Sequence, residues 1–69
     1  SFDKLEKRLY DYLKEKASIE GNLIIKASHR EIAADLGTAR EVVSRTLKKL
    51  EMAGLVKHNE NYIEILLKR

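Results

Sequence analysis

The tightest constraint on this chain lies at Gly37, inside SHREIAADLGTAREVVSRTLKKLEMAGLV, residues 28 to 56. Ser28 followed by Glu31 is S-x-x-E. That spacing makes a capping box, in which the cap hydroxyl and the carboxylate three residues on each accept the other's backbone N–H. Thr38 followed by Glu41 repeats the pattern as T-x-x-E, so Thr38 is predicted to open a second helix. Gly37 stands between the two signatures. A helix over 29–36, with Ile32, Ala33 and Leu36 on its buried side, is predicted to stop there. The next is predicted over 39–53 and ends against Gly54, where a glycine commonly terminates a helix. Two helices joined by so short a glycine-containing turn form a helix-turn-helix.

The rest of the chain frames that motif. Residues 2–17 carry Phe2, Leu5, Leu9, Tyr12 and Leu13 at helical period. Gly21-Asn22 reads as a turn and Leu23-Ile24-Ile25 as one small strand. Leu55-Val56-Lys57 and Tyr62-Ile63-Glu64-Ile65-Leu66 read as two strands around His58-Asn59-Glu60-Asn61, a hairpin over 55–67. Tyr62 is predicted to face the core. The fold class predicted for residues 1–69 is mainly α with a small β-sheet. In architecture it is a single winged helix-turn-helix domain: three helices, a C-terminal hairpin wing, and the strand at 23–25 available as a third strand.

Composition excludes more than it selects. A chain of 69 residues buries only roughly 60% of its unfolded surface, so the core is modest. With no cysteine, neither a disulfide nor a thiolate metal site can reinforce it, which agrees with a reducing, cytoplasmic setting. His29 and His58 are far apart in sequence with no third ligand, so no metal is expected. No apolar run approaches the roughly 20 residues of a membrane span. SFDKLEKRLY is charged and amphipathic, unlike a signal peptide. No nucleophile–base set, glycine-rich phosphate loop or cofactor motif is present, so neither catalysis nor a cofactor is expected. On the helix over 29–36, Glu31 is accounted for by capping and Asp35 by solvent. The net charge of +3 permits a nucleic-acid partner without requiring one, so the position of the charges must decide.

Residues 40–53, placed at about 100° per residue, divide cleanly. Arg40, Glu41, Ser44, Arg45, Lys48 and Lys49 take one half of the helix. Val42, Val43, Thr46, Leu47, Leu50 and Ala53 take the other. Any surface helix has a polar half, but this one begins with short and forked groups. Arginine's fork matches the O6 and N7 of guanine, and a carboxylate accepts from the N4 of cytosine. Glu41 has a rival role as a capping residue, and Ser44 as an ordinary surface serine. Ser28 and Thr38, as caps at helix N-termini, also stand where N–H groups and the positive dipole end suit phosphate. Lys48 and Lys49 suit electrostatic steering. Asn59 in the wing suits a phosphate or groove-edge contact and, equally, a plain turn.

GTAREVVSRTLKKLEMAGLV, preceded by SHREIAADLG, resembles the DNA-binding domain of Crp/Fnr-type bacterial transcription regulators. The resemblance extends over residues 23–66 and is loose over the first helix. Its most specific part is Ala33-x-x-x-Gly37 followed by R-E-x-x-S-R. The resemblance implies that Glu41, Ser44 and Arg45 read base edges, joined by Arg40 as in the cyclic-AMP receptor branch, on a half-site containing TGA. It implies a phosphate contact at position 29, here His29; with the helix-terminal Ser28, Thr38 and Ala39, and with Lys48 and Asn59, this completes the expected phosphate-contacting set. Family proteins also carry a sensor domain and a dimerisation helix. The expectation is therefore a C-terminal module of a homodimeric regulator, itself monomeric, that binds double-stranded DNA, with RNA polymerase open as a further partner. A winged helix used for protein–protein contact is the alternative; it would not need the R-E-x-x-S-R face.

Overall fold

Asp3, rather than the apolar pattern, sets where the first helix begins. In the computed structural model, which describes residues 2–59 and 61–66, α1 runs from Lys4 to Glu20. The Asp3 side chain accepts from the Glu6 N–H at 2.8 Å, and the Glu6 carboxylate accepts from the Asp3 N–H at 3.1 Å. This is a capping box that the apolar period over 2–17 did not mark, because Phe2 extends the period past the cap. Leu9, Leu13 and Ala17 form the buried stripe of α1.

The remaining elements are β1 (Ile24–Ile25), α2 (His29–Leu36), α3 (Arg40–Met52), β2 (Val56–His58) and β3 (Ile63–Ile65). The strands form one antiparallel sheet in the order β1-β3-β2, so the run at 23–25 does supply the third strand. Ile25 pairs with Ile63 across one side of β3, and Val56 with Ile65 across the other. These four side chains share the inner face and are buried. They meet Leu9 and Leu13 of α1, Ile32 and Ala33 of α2, and Val43, Leu47 and Leu50 of α3 in one core. Tyr62 lies outside that core, 38% exposed, contrary to its predicted burial. It precedes β3 at the turn, where Asn59 Oδ1 accepts from the N–H groups of Asn61 and Tyr62. Of the predicted wing over 55–67, residues 60 and 67 lie outside the described residues.

The helix-turn-helix closes differently from its sequence signature at one point. Ser28 forms the predicted box: its hydroxyl accepts from the Glu31 N–H at 3.0 Å and Glu31 accepts from the Ser28 N–H at 2.9 Å. Thr38 does not. The N-cap of α3 is Ala39, with no side-chain cap hydrogen bond. The reason is the closure of α2. Gly37 adopts a left-handed backbone (φ 72°), and both its N–H and that of Thr38 turn back onto the Ala33 carbonyl. Thr38 is thereby committed to the end of α2, and the cap of α3 moves one residue on. Glu41 becomes the second helical residue rather than the third, out of register for a reciprocal box. Gly54 ends α3 as predicted, with φ 79° and the Leu55 N–H bonded to the Leu50 carbonyl.

α1 is tied to the pair by polar contacts that no local pattern announces. Arg8 donates to the Leu36 carbonyl at 2.9 Å, capping the C-terminal end of α2 with a cation. The Tyr12 hydroxyl donates to the Asp35 carboxylate at 2.5 Å, so Asp35, exposed to solvent as expected, is also engaged by the protein. Burial, then the Asp35 hydrogen bond and charge, push the Tyr12 phenol far above its ordinary value near 10. A group whose pKa is higher folded than unfolded contributes stability that is lost as pH rises past the unfolded value. Replacing Tyr12 with Phe is therefore expected to flatten the fall in stability above about pH 10, measured as the urea midpoint at successive pH values. The caps separate as cleanly. Ser28→Ala is expected to cost about 1 kcal/mol in denaturant unfolding. Thr38→Ala should cost well under half of that; equal losses would restore Thr38 as a cap.

Candidate nucleic-acid interface

The buried stripe of α3 is Val43, Thr46, Leu47 and Leu50. Thr46 is accommodated there because its hydroxyl donates to the Val42 carbonyl at 2.7 Å, so that hydroxyl is not buried unsatisfied. Val42 is half-buried and Ala53 exposed, which leaves the apolar half of α3 narrower than its helical wheel. With the stripe packed inward, Arg40, Glu41, Arg45, Lys48 and Lys49 are exposed and Ser44 is half-buried.

These side chains differ in commitment. Lys49 lies 3.6 Å from the Glu6 carboxylate of α1 and is drawn toward that helix. Among the described residues, Arg40, Arg45 and Lys48 enter no ion pair. Among the described residues Glu41 accepts no capping bond, and Ala39 holds the cap position. Ser44 is held on two sides: its hydroxyl lies 2.8 Å from His29 Nδ1 and 3.2 Å from the Arg40 carbonyl. Asn59 uses its side-chain oxygen to build the wing turn, and its N–H bonds to the Tyr62 carbonyl at 3.0 Å.

The N-terminal ends of α2 and α3 meet at one cleft, lined by Ser28, His29, Arg30 and Arg40. Thr38 and Ala39 lead into α3 just beyond it, where Ala39 presents only backbone. Helix N-termini carry partial positive charge and outward N–H groups. Two of them with Arg30 and Arg40 make a cationic, donor-rich notch. Arg30 was not singled out by the sequence reading; its signal was its place in the first turn of α2, next to the Ser28 cap. His29 and His58, far apart in sequence, come together with ring centroids 5.8 Å apart. No group of three or more metal-ligating side chains gathers among the described residues. No helix among them is long and apolar enough to cross a membrane.

Three helices, a helix-turn-helix between the second and third, and a short antiparallel sheet with a C-terminal hairpin define a winged helix-turn-helix. Residues 5–68 match the model of the Crp-like helix-turn-helix domain. The chain belongs to that family, the DNA-binding domains of Crp-type transcriptional regulators. It is similar to the crystal structure of a protein from Eubacterium rectale assigned to the Crp/Fnr family of transcriptional regulators. That match has a TM-score of 0.89 and 42% identity, over 94% of this chain and 30% of the other. It is also similar to the transcriptional regulator SdrP of Thermus thermophilus, 34% identical over 47 residues, which is 68% of this chain and 23% of the relative. The chain thus spans less than a third of the length of either relative.

Proposed function

We propose that this domain binds double-stranded DNA sequence-specifically, with α3 in the major groove, as part of a bacterial cytoplasmic transcription regulator. The observation that carries the reading is the outward face of α3. Arg40, Glu41 and Arg45 stand exposed in its first two turns, without competing ion pairs or caps among the described residues, beside a notch made by two helix N-termini. Forked cations and a carboxylate at that position have the donor and acceptor geometry of base edges in a major groove. Arg40, Glu41, Ser44 and Arg45 are the proposed base contacts, on a half-site containing TGA.

Phosphates are proposed to meet the helix N-termini and the groove-side cations. Ser28, His29, Thr38 and Ala39 contribute at the notch, His29 through its main-chain N–H, with Arg30 above them. Lys48 holds the far backbone and Asn59 the wing side. Such contacts set position and salt dependence, whereas base contacts set sequence. The function needs no cofactor, metal or catalytic group. In a longer homodimeric protein two such helices would lie about 34 Å apart on a pseudo-palindrome, with RNA polymerase as a further partner. The chain alone is expected to be a monomer that binds one half-site.

Selection from a randomised duplex library at low salt tests the proposal. Enrichment of a TGA-type half-site is the expected result. No retention on DNA would overturn it and favour a winged helix that docks on protein. Arg45→Ala should relax the preference at one base pair and cost about 1–3 kcal/mol on the best site. Lys48→Ala should weaken all sequences alike and lower the slope of log K against log salt by about 0.9. If Arg45→Ala instead weakens every sequence equally, Arg45 is a phosphate contact.

A further inference from the structure

The His29 side chain is placed as an internal prop. It is the first residue of α2, half-buried, and its Nδ1 reaches 2.8 Å to the Ser44 hydroxyl, joining the two helices of the motif across fifteen residues. Its Nε2 is shielded from solvent. The ring lies against His58 of β2, tilted 48° to it, and His58 Nε2 stands 3.2 Å from the Glu51 carboxylate on α3. One imidazole nitrogen is thus engaged with Ser44 and the other faces inward, so neither is presented to a phosphate.

The consequence falls on Ser44. Its hydroxyl carries one proton and has two neighbours, His29 Nδ1 and the Arg40 carbonyl. If Nδ1 carries a hydrogen it donates to Ser44, and Ser44 donates to the carbonyl. If Nδ1 is bare, Ser44 donates to it instead. In both tautomers the serine proton stays inside the protein. What Ser44 then offers a base pair is its β-methylene and an oxygen lone pair, which suit a thymine methyl or an amino group and not a hydrogen-bond acceptor.

We propose that His29 is a positioning residue for sequence readout: by holding the Ser44 hydroxyl it makes Ser44 a reader that does not donate, and it does so without touching DNA through its ring. The role rests on the duplex-reading function proposed above. His29→Ala would leave the hydroxyl only its longer, 3.2 Å bond to the Arg40 carbonyl, from which it can rotate to a base, and the preference at the base pair facing Ser44 would shift toward pairs with an acceptor there. Ser44→Ala keeps the β-carbon and lacks the hydroxyl, so it would keep the wild-type discrimination against acceptors and also cancel the effect of His29→Ala.

The experiment is a set of half-site selections and salt titrations with the 69-residue chain, wild type beside His29→Ala, Ser44→Ala and the double variant. The expected result is a shift of about three- to tenfold at one base pair in His29→Ala. The salt slope stays at its wild-type value, and the double variant is indistinguishable from Ser44→Ala. Uniform weakening with a slope shallower by about 0.9 would make the His29 ring a phosphate ligand and overturn the proposal. No shift in His29→Ala, or a shift that persists in the double variant, would overturn it too. If His29→Ala does not fold, two gentler variants decide. Asparagine places a donor where Nδ1 stands and should behave as wild type, while glutamine reaches toward the Nε2 position and should show the shift. Glutamine behaving as wild type overturns the role. Absence of any enriched half-site with the wild-type chain overturns the DNA reading itself, and this role with it.

Discussion

Passing from α2 into α3 within three residues requires one left-handed backbone position, and Gly37 supplies it at φ 72°. A Cβ there would meet nothing within 4 Å, so the demand is one of backbone conformation and not of space. A side chain in that region costs about 1–2 kcal/mol, which glycine avoids. The bonds from Gly37 and Thr38 back to the Ala33 carbonyl satisfy the end of α2. They also aim the chain so that Ala39 can start α3. The direction of α3, and hence which of its sides is buried, follows from that one turn.

Once α3 is aimed, packing fixes its rotation. Val43, Leu47 and Leu50 fit among α1, α2 and the inner face of the sheet, all essentially without solvent exposure. A rotation that exposed Arg40 and Arg45 less would expose these residues more, at roughly 1.5–3 kcal/mol for each large apolar side chain. The core therefore orients the polar face as firmly as any hydrogen bond could. α1 adds polar fastenings at both neighbours: Arg8 and Tyr12 on α2, and Glu6 toward Lys49 on α3. The exposed pair between Glu6 and Lys49 adds little energy, but it separates one lysine from the face that the other cations share.

The elements were legible in the sequence wherever the signal was local. The Ser28–Glu31 box, the left-handed glycines at the helix ends and the apolar stripe of α3 each involve residues within one or two turns. Thr38–Glu41 shows the limit of such patterns. The same T-x-x-E spacing was outcompeted because the preceding helix used the Thr38 backbone for its own closure. Asp3–Glu6 was equally local, yet Phe2 masked it by continuing the apolar period beyond the cap. Tyr62 alternates as a strand residue should, but it stands at the turn before β3, outside the paired region. What the sequence could not disclose were contacts made across the fold: Tyr12 with Asp35, Arg8 with the Leu36 carbonyl, His29 with His58 and Ser44. Their partners lie fifteen to twenty-nine positions apart, and no periodicity connects them. The exposed residues of α3 could be chosen from the wheel; how each is committed within the folded chain could not.

The guanidinium of Arg8 on the Leu36 carbonyl has an effect beyond fastening two helices. It quenches the negative pole of α2, while the positive poles of α2 and α3 open together onto the notch with Arg30 and Arg40. The helix poles are thus arranged unevenly, in a way that the net charge of +3 does not convey. In the field of a polyanion such a body experiences a torque as well as an attraction. It turns while still diffusing, within a screening length of about 8 Å in physiological salt. In the encounter with DNA proposed above, α3 would then arrive already facing the duplex, and fewer collisions would fall on the other sides of the domain.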